Sequence, residues 1–346
     1  MANDKTSTRD RAVTRADVAR YAGVSTAVVS YVMNGGPRKV APETAARVRE
    51  AIAQLDYRPN VHAQALRRGT TEMIGLVLAD PTNPFFVEFV AAITEAAYAC
   101  GRAVVIASAR ARPDTELTLV DDLVRRRVDG LIVASVFGRP DLSLGRSHRQ
   151  TPMVFIDAPG TVPGYASLGT DGLRGAYLAV EHLGRVHHHG TIGLVVGGMD
   201  SPSADPREQG WQQAIRAAGL QDGPIARVDW SREGGYEGGH RLLGSSRPPT
   251  AIFAGSDLQA VGLLRAAHER GLRVPEDLAV VAFDGTKESE FSWPPLTVVA
   301  QPIPEMARMA VQLVLDEQRA EGHTSFDGEL VVRQSCGCLR ERPAGR

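Results

Sequence analysis

Several side chains able to hold a polyhydroxylated small molecule fall just behind short apolar runs in the second part of this chain. Asp80-Pro81-Thr82-Asn83-Pro84-Phe85-Phe86 follows Ile74–Leu78, and Asp157 follows Val154–Ile156. Ser256-Asp257 follows Ala251–Phe253, and Asp284-Gly285 follows Val280–Phe283. Arg207 stands just before Gly210-Trp211, and Trp230 lies in a loop. Carboxylates and a guanidinium fork hydrogen-bond hydroxyl groups, while an indole can cover the apolar face of a sugar ring. The mixture suits a neutral polyol or sugar better than a bare anion. Each residue also has a plainer reading. Asp80, Asp257 and Asp284 can be helix caps or turn formers, and Trp211 can be core.

Other chemistry finds little support. There is no G-x-S-x-G nucleophile elbow, so no acyl-transfer site is expected. Neither G-x-G-x-x-G nor G-x-x-x-x-G-K-[ST] occurs, so no nucleotide cofactor is expected. The cysteines are Cys100, Cys336 and Cys338. Cys336-Gly337-Cys338 lacks the spacing of a standard zinc half-site, and the adjacent His187, His188 and His189 cannot all point at one ion. On spacing alone these read as structural thiols and a polar loop, with no metal and no cofactor. No apolar run approaches the ~18–20 residues of a membrane span, and the first residues have no apolar signal core. A soluble cytoplasmic protein without membrane contact is expected.

The elements that must position these residues alternate. Apolar strand-like runs at Ile74–Leu78, Val104–Ala107, Leu131–Ala134, Val154–Ile156, Ile192–Val196, Ala251–Phe253 and Val280–Phe283 are separated by helical patterns. These are Phe86–Cys100, Thr115–Val128, Gly172–Leu183, Gln209–Ala218, Leu258–Arg270 and Glu305–Gln318. Such alternation implies parallel sheets covered on both faces, with ligands at the carboxyl ends of the strands. The number of units favours two α/β subdomains over one open sheet.

The first seventy residues differ in kind. They carry 12 Lys/Arg and 6 Asp/Glu, a net of +6, against 27 and 34, a net of −7, in the remainder. A basic small domain on an acidic large one points to a polyanion as the small domain's partner. After a polar arm, Thr14-Arg15-Ala16-Asp17 is a capping box that opens a helix through about Tyr21. Gly23 ends it, Ser25 caps a second helix from Thr26 to about Met33, and Pro42 starts a third with the stripe Val48, Ile52 and Leu55. This is a helix-turn-helix arrangement whose second helix displays Thr26, Ala27, Ser30 and Tyr31; a three-helix protein-binding bundle is the alternative. Tyr57-Arg58-Pro59-Asn60 is a turn, and the helical pattern behind it, up to Gly69, is too short to be stable alone in water.

Val13 to Asn34 (V-T-R-A-D-V-A-R-Y-A-G-V-S-T-A-V-V-S-Y-V-M-N), with L-D-Y-R-P-N at Leu55 to Asn60 and A-Q-A-L-R-R-G at Ala63 to Gly69, resembles the lac repressor (LacI/GalR) family of bacterial transcription factors. The resemblance extends along nearly the whole chain. It implies an arm at 1–12, a DNA-binding head at 13–59, a hinge helix at 60–69 and an effector-binding and dimerisation domain at 72–340. That last domain has the two-lobed type I periplasmic-binding-protein fold, with an N-subdomain of about 72–171 and 303–327 and a C-subdomain of about 172–302 and 328–340.

By this resemblance Thr26, Ala27 and Tyr31 occupy base-reading positions, and Thr14, Ser30, Asn34, Tyr57 and Asn60 fall at phosphate or backbone contacts. Ala63 faces the minor groove and Leu66 is the apolar wedge there. Many members have Arg where this chain has Tyr31, so the usual guanine-reading fork is missing. Asp157, Arg207, Trp230, Ser256, Asp284 and Gln301 match effector contacts of sugar-responsive members, and Phe85 and Phe86 match an aromatic lining in others. Ser256 replaces a common Asn, while Trp211 and Asp257 look structural. The expected function is a homodimeric repressor released from double-stranded operator DNA by a small sugar-like effector. The alternatives are a regulator that responds to a purine co-repressor, a solute-binding protein, or an enzyme on the same scaffold.

Overall fold

The computed structural model describes residues 13–34, 36, 39–58, 69–110, 112–134, 151–158, 160–198, 205–316 and 321–338. The chain divides into two units, Met1–Thr71 and Glu72–Arg346. The segment expected to form the hinge helix, with Asn60, Ala63 and Leu66, lies outside the described residues.

The first unit holds α1 (Arg15–Ala22), α2 (Thr26–Asn34) and α3 (Pro42–Gln54). Asp17 closes the capping box of α1: its Oδ2 accepts the Thr14 N–H at 2.9 Å and the Thr14 hydroxyl at 2.6 Å. Gly23 ends α1 in the left-handed region at φ 64°, where a Cβ would be strained. Val18, Val29 and Val48, one from each helix, are completely buried and form the centre of a small core. The stripe expected on α3 faces that core, with Ile52 and Leu55 at its margin.

The second unit has two six-stranded sheets. The first contains β1 (Met73–Leu78), β2 (Ala103–Ser108), β3 (Gly130–Ala134), β4 (Met153–Ile156), β5 (Ala166–Thr170) and β11 (Gly322–Phe326). Its order is β11-β5-β4-β3-β1-β2, and every pairing is parallel. The second contains β6 (Ile192–Val196), β7 (Ile225–Arg227), β8 (Ala251–Ala254), β9 (Ala279–Asp284), β10 (Thr297–Ala300) and β12 (Glu329–Val331). Its order is β12-β10-β9-β8-β6-β7, parallel except for the antiparallel β12.

Helices cover both faces of each sheet, as near-continuous apolar strands require. On the first sheet, α4 (Pro84–Ala99) and α11 (Ile303–Leu315) pack on one face and α5 (Pro113–Arg125) on the other. On the second, α6 (Gly172–Glu181) and α7 (Pro206–Ala217) oppose α8 (Arg232–Leu243) and α9 (Asp257–Glu269), with a short α10 at Lys287–Phe291. A π-helical turn over His182–Val186 extends α6. The chain passes between the sheets three times: after β5, after β10, and between β11 and β12. No helix among the described residues is long and apolar enough to cross a membrane.

Sequence patterning missed α8, and the reason is its composition. R-E-G-G-Y-E-G-G-H-R-L-L has four glycines, which individually disfavour helix. Here they allow α8 and α9 to touch backbone to backbone. A Cβ on Gly235 would stand 2.5 Å from Gln259 Cα, and one on Gly239 would stand 2.9 Å from Ala266 Cβ. Tertiary packing outweighs the local preference.

Candidate functional site

In both sheets the chain turns back beside its first strand: β1 lies between β2 and β3, and β6 between β7 and β8. These reversals open a crevice at the carboxyl ends of the strands, where ligands of open α/β sheets bind. Asp157, Arg207, Trp230, Asp284 and Gln301 come together there.

Arg207 is the second residue of α7, whose N-cap Asp205 accepts the Arg207 N–H at 2.8 Å. The Asp205 carboxylate also lies 3.5 Å from the Arg207 guanidinium. That guanidinium sits over two aromatic rings, 4.9 Å from the Trp230 centroid and 4.5 Å from that of Phe283. Trp230 is seated across Gly197, at the end of β6, and Gly255, behind β8; a Cβ on Gly255 would come within 3.1 Å of the indole. Side chains at these two positions would dislodge the ring, so the glycines determine where it lies. Arg207 Nε is buried without a hydrogen-bond partner among the described residues, a donor available to a ligand.

Asp284 ends β9 at φ 109°, an unusual conformation for a residue with a Cβ. Its Oδ1 accepts the Gln301 amide at 2.8 Å, and Gln301 Oε1 accepts the Thr170 hydroxyl at 2.7 Å. This chain of bonds ties the end of β5 in one lobe to β9 and β10 in the other. Asp157, behind β4, also has positive φ, at 56°. Burial pushes the Asp284 carboxyl up to about 7; the Arg207 charge opposes the rise and Asp157 adds to it. Burial likewise raises Asp157 to about 6, against the pull of Arg207 and with the push of Asp205. Burial works against the Arg207 charge, but Asp205, Asp284 and Asp157 together hold its pKa above the ordinary value. One guanidinium therefore faces three carboxyl groups.

The other residues take different places. Ser256 is the N-cap of α9 and accepts the Gln259 N–H at 3.2 Å. Phe85 and Phe86 pack edge to face at 5.3 Å within the core of the first lobe, only 2% and 5% exposed, so they offer a ligand little surface. Asp80 is a turn former whose Oδ1 accepts the Thr82 N–H at 2.8 Å. Asp257 is structural, with Oδ2 accepting both the N–H and the hydroxyl of Thr286 at 2.7 Å. Trp211 is core and donates its indole N–H to the Ile192 carbonyl at 3.2 Å. Sequence reasoning overlooked Asp205, Phe283 and Thr170. The first two carried a signal: Asp205-Pro206 is an N-cap followed by an N1 proline, and Phe283 directly precedes Asp284.

On the head, α2 exposes Thr26, Ala27 and Asn34 and partly exposes Ser30 and Tyr31, opposite the buried Val29. The Tyr31 ring lies against Gly36, where a Cβ would overlap it, so a glycine there leaves room for the ring. The Asn34 amide donates to the Ser30 carbonyl at 3.0 Å and to its hydroxyl at 3.3 Å. Tyr57 packs at the margin of the head core. The Thr14 hydroxyl is already committed to Asp17, so a phosphate contact by Thr14 requires that bond to be exchanged.

A helix-turn-helix head and a two-lobed α/β domain with a polar cleft define a class: DNA-binding regulators that sense a small molecule. Residues 14–60 match the family model for bacterial regulatory proteins of the lacI family, and residues 180–336 match a periplasmic binding protein-like domain. The chain is 33% identical to the HTH-type transcriptional repressor PurR of Haemophilus influenzae (strain PittEE), over 92% of this chain and 97% of that one. Among solved structures, the lac repressor dimer bound to operator and the anti-inducer ONPF superposes with a TM-score of 0.84 at 30% identity, covering 94% of this chain and 99% of that one. A complex of the transcriptional regulator CelR with cellobiose gives 0.68 at 29% identity, covering 93% and 99%. The chain belongs to the lacI family and is a DNA-binding transcriptional regulator.

Proposed function

We propose that the protein is a homodimeric repressor whose two heads hold a near-palindromic operator and whose cleft binds a small neutral, sugar-like effector that releases the DNA. The charge balance of the cleft carries the choice of effector. Among the described residues, Asp157, Asp205 and Asp284 surround the Arg207 guanidinium. A phosphorylated or carboxylated ligand would meet an excess of like charge, whereas sugar hydroxyls can donate to the carboxylates and accept from Arg207 Nε. The cellobiose complex of CelR is a structural neighbour with a neutral sugar bound. For the dimer, the lac repressor dimer is the corresponding neighbour. Phe291 and Trp293 are 85% and 90% exposed in the single chain, apolar surface for a second copy to cover. In this reading Thr26, Ala27 and Tyr31 read bases, Ser30, Asn34, Thr14, Tyr57 and Asn60 hold the backbone, and the segment with Ala63 and Leu66 couples the cleft to the minor groove.

The test is fluorescence anisotropy of the full chain on DNA flanking its own gene, with neutral sugars, sugar phosphates and nucleobases supplied in turn. A neutral sugar should weaken operator binding at least about tenfold, the scale of ordinary allosteric coupling. Trp230→Ala should abolish that response and leave sugar-free operator affinity unchanged. If instead a nucleobase tightens binding and no sugar acts, the protein is a co-repressor-dependent regulator.

A further inference from the structure

Four potential metal ligands meet in the second lobe near the amino ends of β9 and β10, the ends opposite the carboxyl-end crevice. His182 begins the π-helical turn behind α6, His187 follows that turn, and Cys336 and Cys338 come from the C-terminal segment. Their ligand atoms all lie within 4.8 Å of one another. His182 Nε2 is 3.3 Å from His187 Nε2 and 3.4 Å from Cys336 Sγ. Cys338 Sγ is 3.6 Å from His182 Nε2 and 3.3 Å from His187 Nε2. A tetrahedral ion with bonds of about 2.0–2.1 Å to nitrogen and about 2.3 Å to sulfur has N···N edges of about 3.3–3.4 Å and N···S edges of about 3.5–3.6 Å. These four edges agree with that polyhedron to within about 0.2–0.3 Å, and the remaining two are no longer than 4.8 Å, so binding an ion requires at most a small closing of the cluster.

The backbone is shaped for this meeting. In an α-helix, residues five apart point in different directions, but the i→i+5 bonding of a π turn brings them nearly one above the other, and such turns concentrate at functional sites. Gly337, at φ 102°, makes the bend that turns both sulfurs inward, and a Cβ there would also stand 3.3 Å from His187 Nδ1. Ser335 anchors the segment to the sheet: its carbonyl accepts the Val280 N–H at 2.8 Å, and its hydroxyl donates to the Val280 carbonyl at 2.6 Å and accepts the Thr297 N–H at 2.8 Å. Thr297 Oγ1 accepts the Arg333 N–H at 2.8 Å, so its own proton is directed to Cys336 Sγ at 3.1 Å. A hydroxyl donating to a ligand sulfur is the outer-shell support expected of a thiolate that binds metal.

We propose that His182, His187, Cys336 and Cys338 bind one Zn²⁺ as a closed structural site that pins the C-terminal segment to the end of α6. All four tetrahedral positions are filled by protein atoms, so the ion holds the fold and performs no catalysis. Chain spacing gave no sign of it, because each half is an unusual ligand pair and the two halves lie 151 residues apart between His187 and Cys338.

The test uses the full chain without a histidine tag, purified under reducing conditions. Elemental analysis should find about one zinc per chain, the stoichiometry of a closed four-ligand site. Replacing zinc by Co²⁺ should give visible tetrahedral bands together with a near-ultraviolet sulfur-to-cobalt charge-transfer band. The exposed Cys100 thiol should react rapidly with a thiol reagent, and Cys336 and Cys338 only after a chelator is added. Chelation should lower the melting temperature by about 5 °C or more. His187→Gln and Cys338→Ser should each lose the zinc and the charge-transfer band. The wild-type cobalt titration stands even if those variants fail to fold. Metal-free protein whose thiols all react at once and which shows no charge-transfer band with Co²⁺ would overturn the proposal, as would a Cys336–Cys338 disulfide in the reduced, freshly purified chain.

Discussion

Replacing Asp284 by Asn isolates the cost of keeping a carboxylate in the cleft. Asp284 is only 5% exposed. It ionises at about 7 in the folded protein against 3.8 without the fold. As pH rises, the unfolded chain gives up this proton first, so stability falls from about pH 4 to about pH 7 and is level above that. A rise from 3.8 to about 7 corresponds to about 4 kcal/mol at about 1.4 kcal/mol per tenfold change. Roughly 2 kcal/mol of this is already lost at pH 5, leaving about 2–3 kcal/mol to be lost between pH 5 and pH 8. Asn keeps an oxygen for the Gln301 amide, now 2.8 Å from Asp284 Oδ1, and removes the charge. The assay is urea unfolding followed by tryptophan fluorescence. Trp211, Trp230 and Trp293 all lie behind Thr71, so the signal reports the second unit. The stability of Asp284→Asn relative to wild type should grow by about 2–3 kcal/mol from pH 5 to pH 8. A difference that stays constant over that range would refute the account of a desolvated, charge-penalised carboxylate.

Further outcomes follow from other parts of the structure. Tyr31→Ala should change base preference in a binding-site selection while the head stays folded by circular dichroism, because the ring lies on the surface against Gly36 and outside the valine core. Gly235→Ala should destabilise the second unit by about 1–3 kcal/mol in urea titration, since its Cβ would press on the Gln259 backbone and α8 would have to move. Leu66→Ala should weaken operator binding measured by gel shift and leave effector affinity measured by calorimetry unchanged, the expected result of removing an apolar wedge; unaltered operator affinity would make that segment a passive linker.

Much of the architecture was legible in the sequence because it rests on local patterns. Apolar runs marked seven strands, β1 to β4, β6, β8 and β9, and the caps and glycines of the head set α1, α2 and α3 with small errors at their ends. β10, T-V-V-A, went unread despite an ordinary apolar signal, but in several other unread elements the local signals are weak or point the wrong way. A-S-L-G-T of β5 and G-H-T-S-F of β11 are too polar and too small to look like strands, and they pair with each other at one side of the first sheet. In α8 four glycines argue against a helix that only close contact with α9 sustains.

The sequence by itself determined that a basic helix-turn-helix head precedes an acidic domain of alternating strands and helices, and that Asp157, Ser256 and Asp284 follow strand-like runs while Arg207 and Trp230 lie in the connections. Composition and periodicity suffice for such statements, because they depend on residues a few places apart. Only the tertiary structure decided which of these side chains share one environment. It stacked Arg207 on Trp230 and Phe283, joined Asp284 through Gln301 to Thr170, and buried Phe85 and Phe86 in a core. It also brought His182 and His187 to Cys336 and Cys338. Those meetings follow from strand order, crossings between lobes and one π turn, and the spacing of residues along the chain encodes none of them directly.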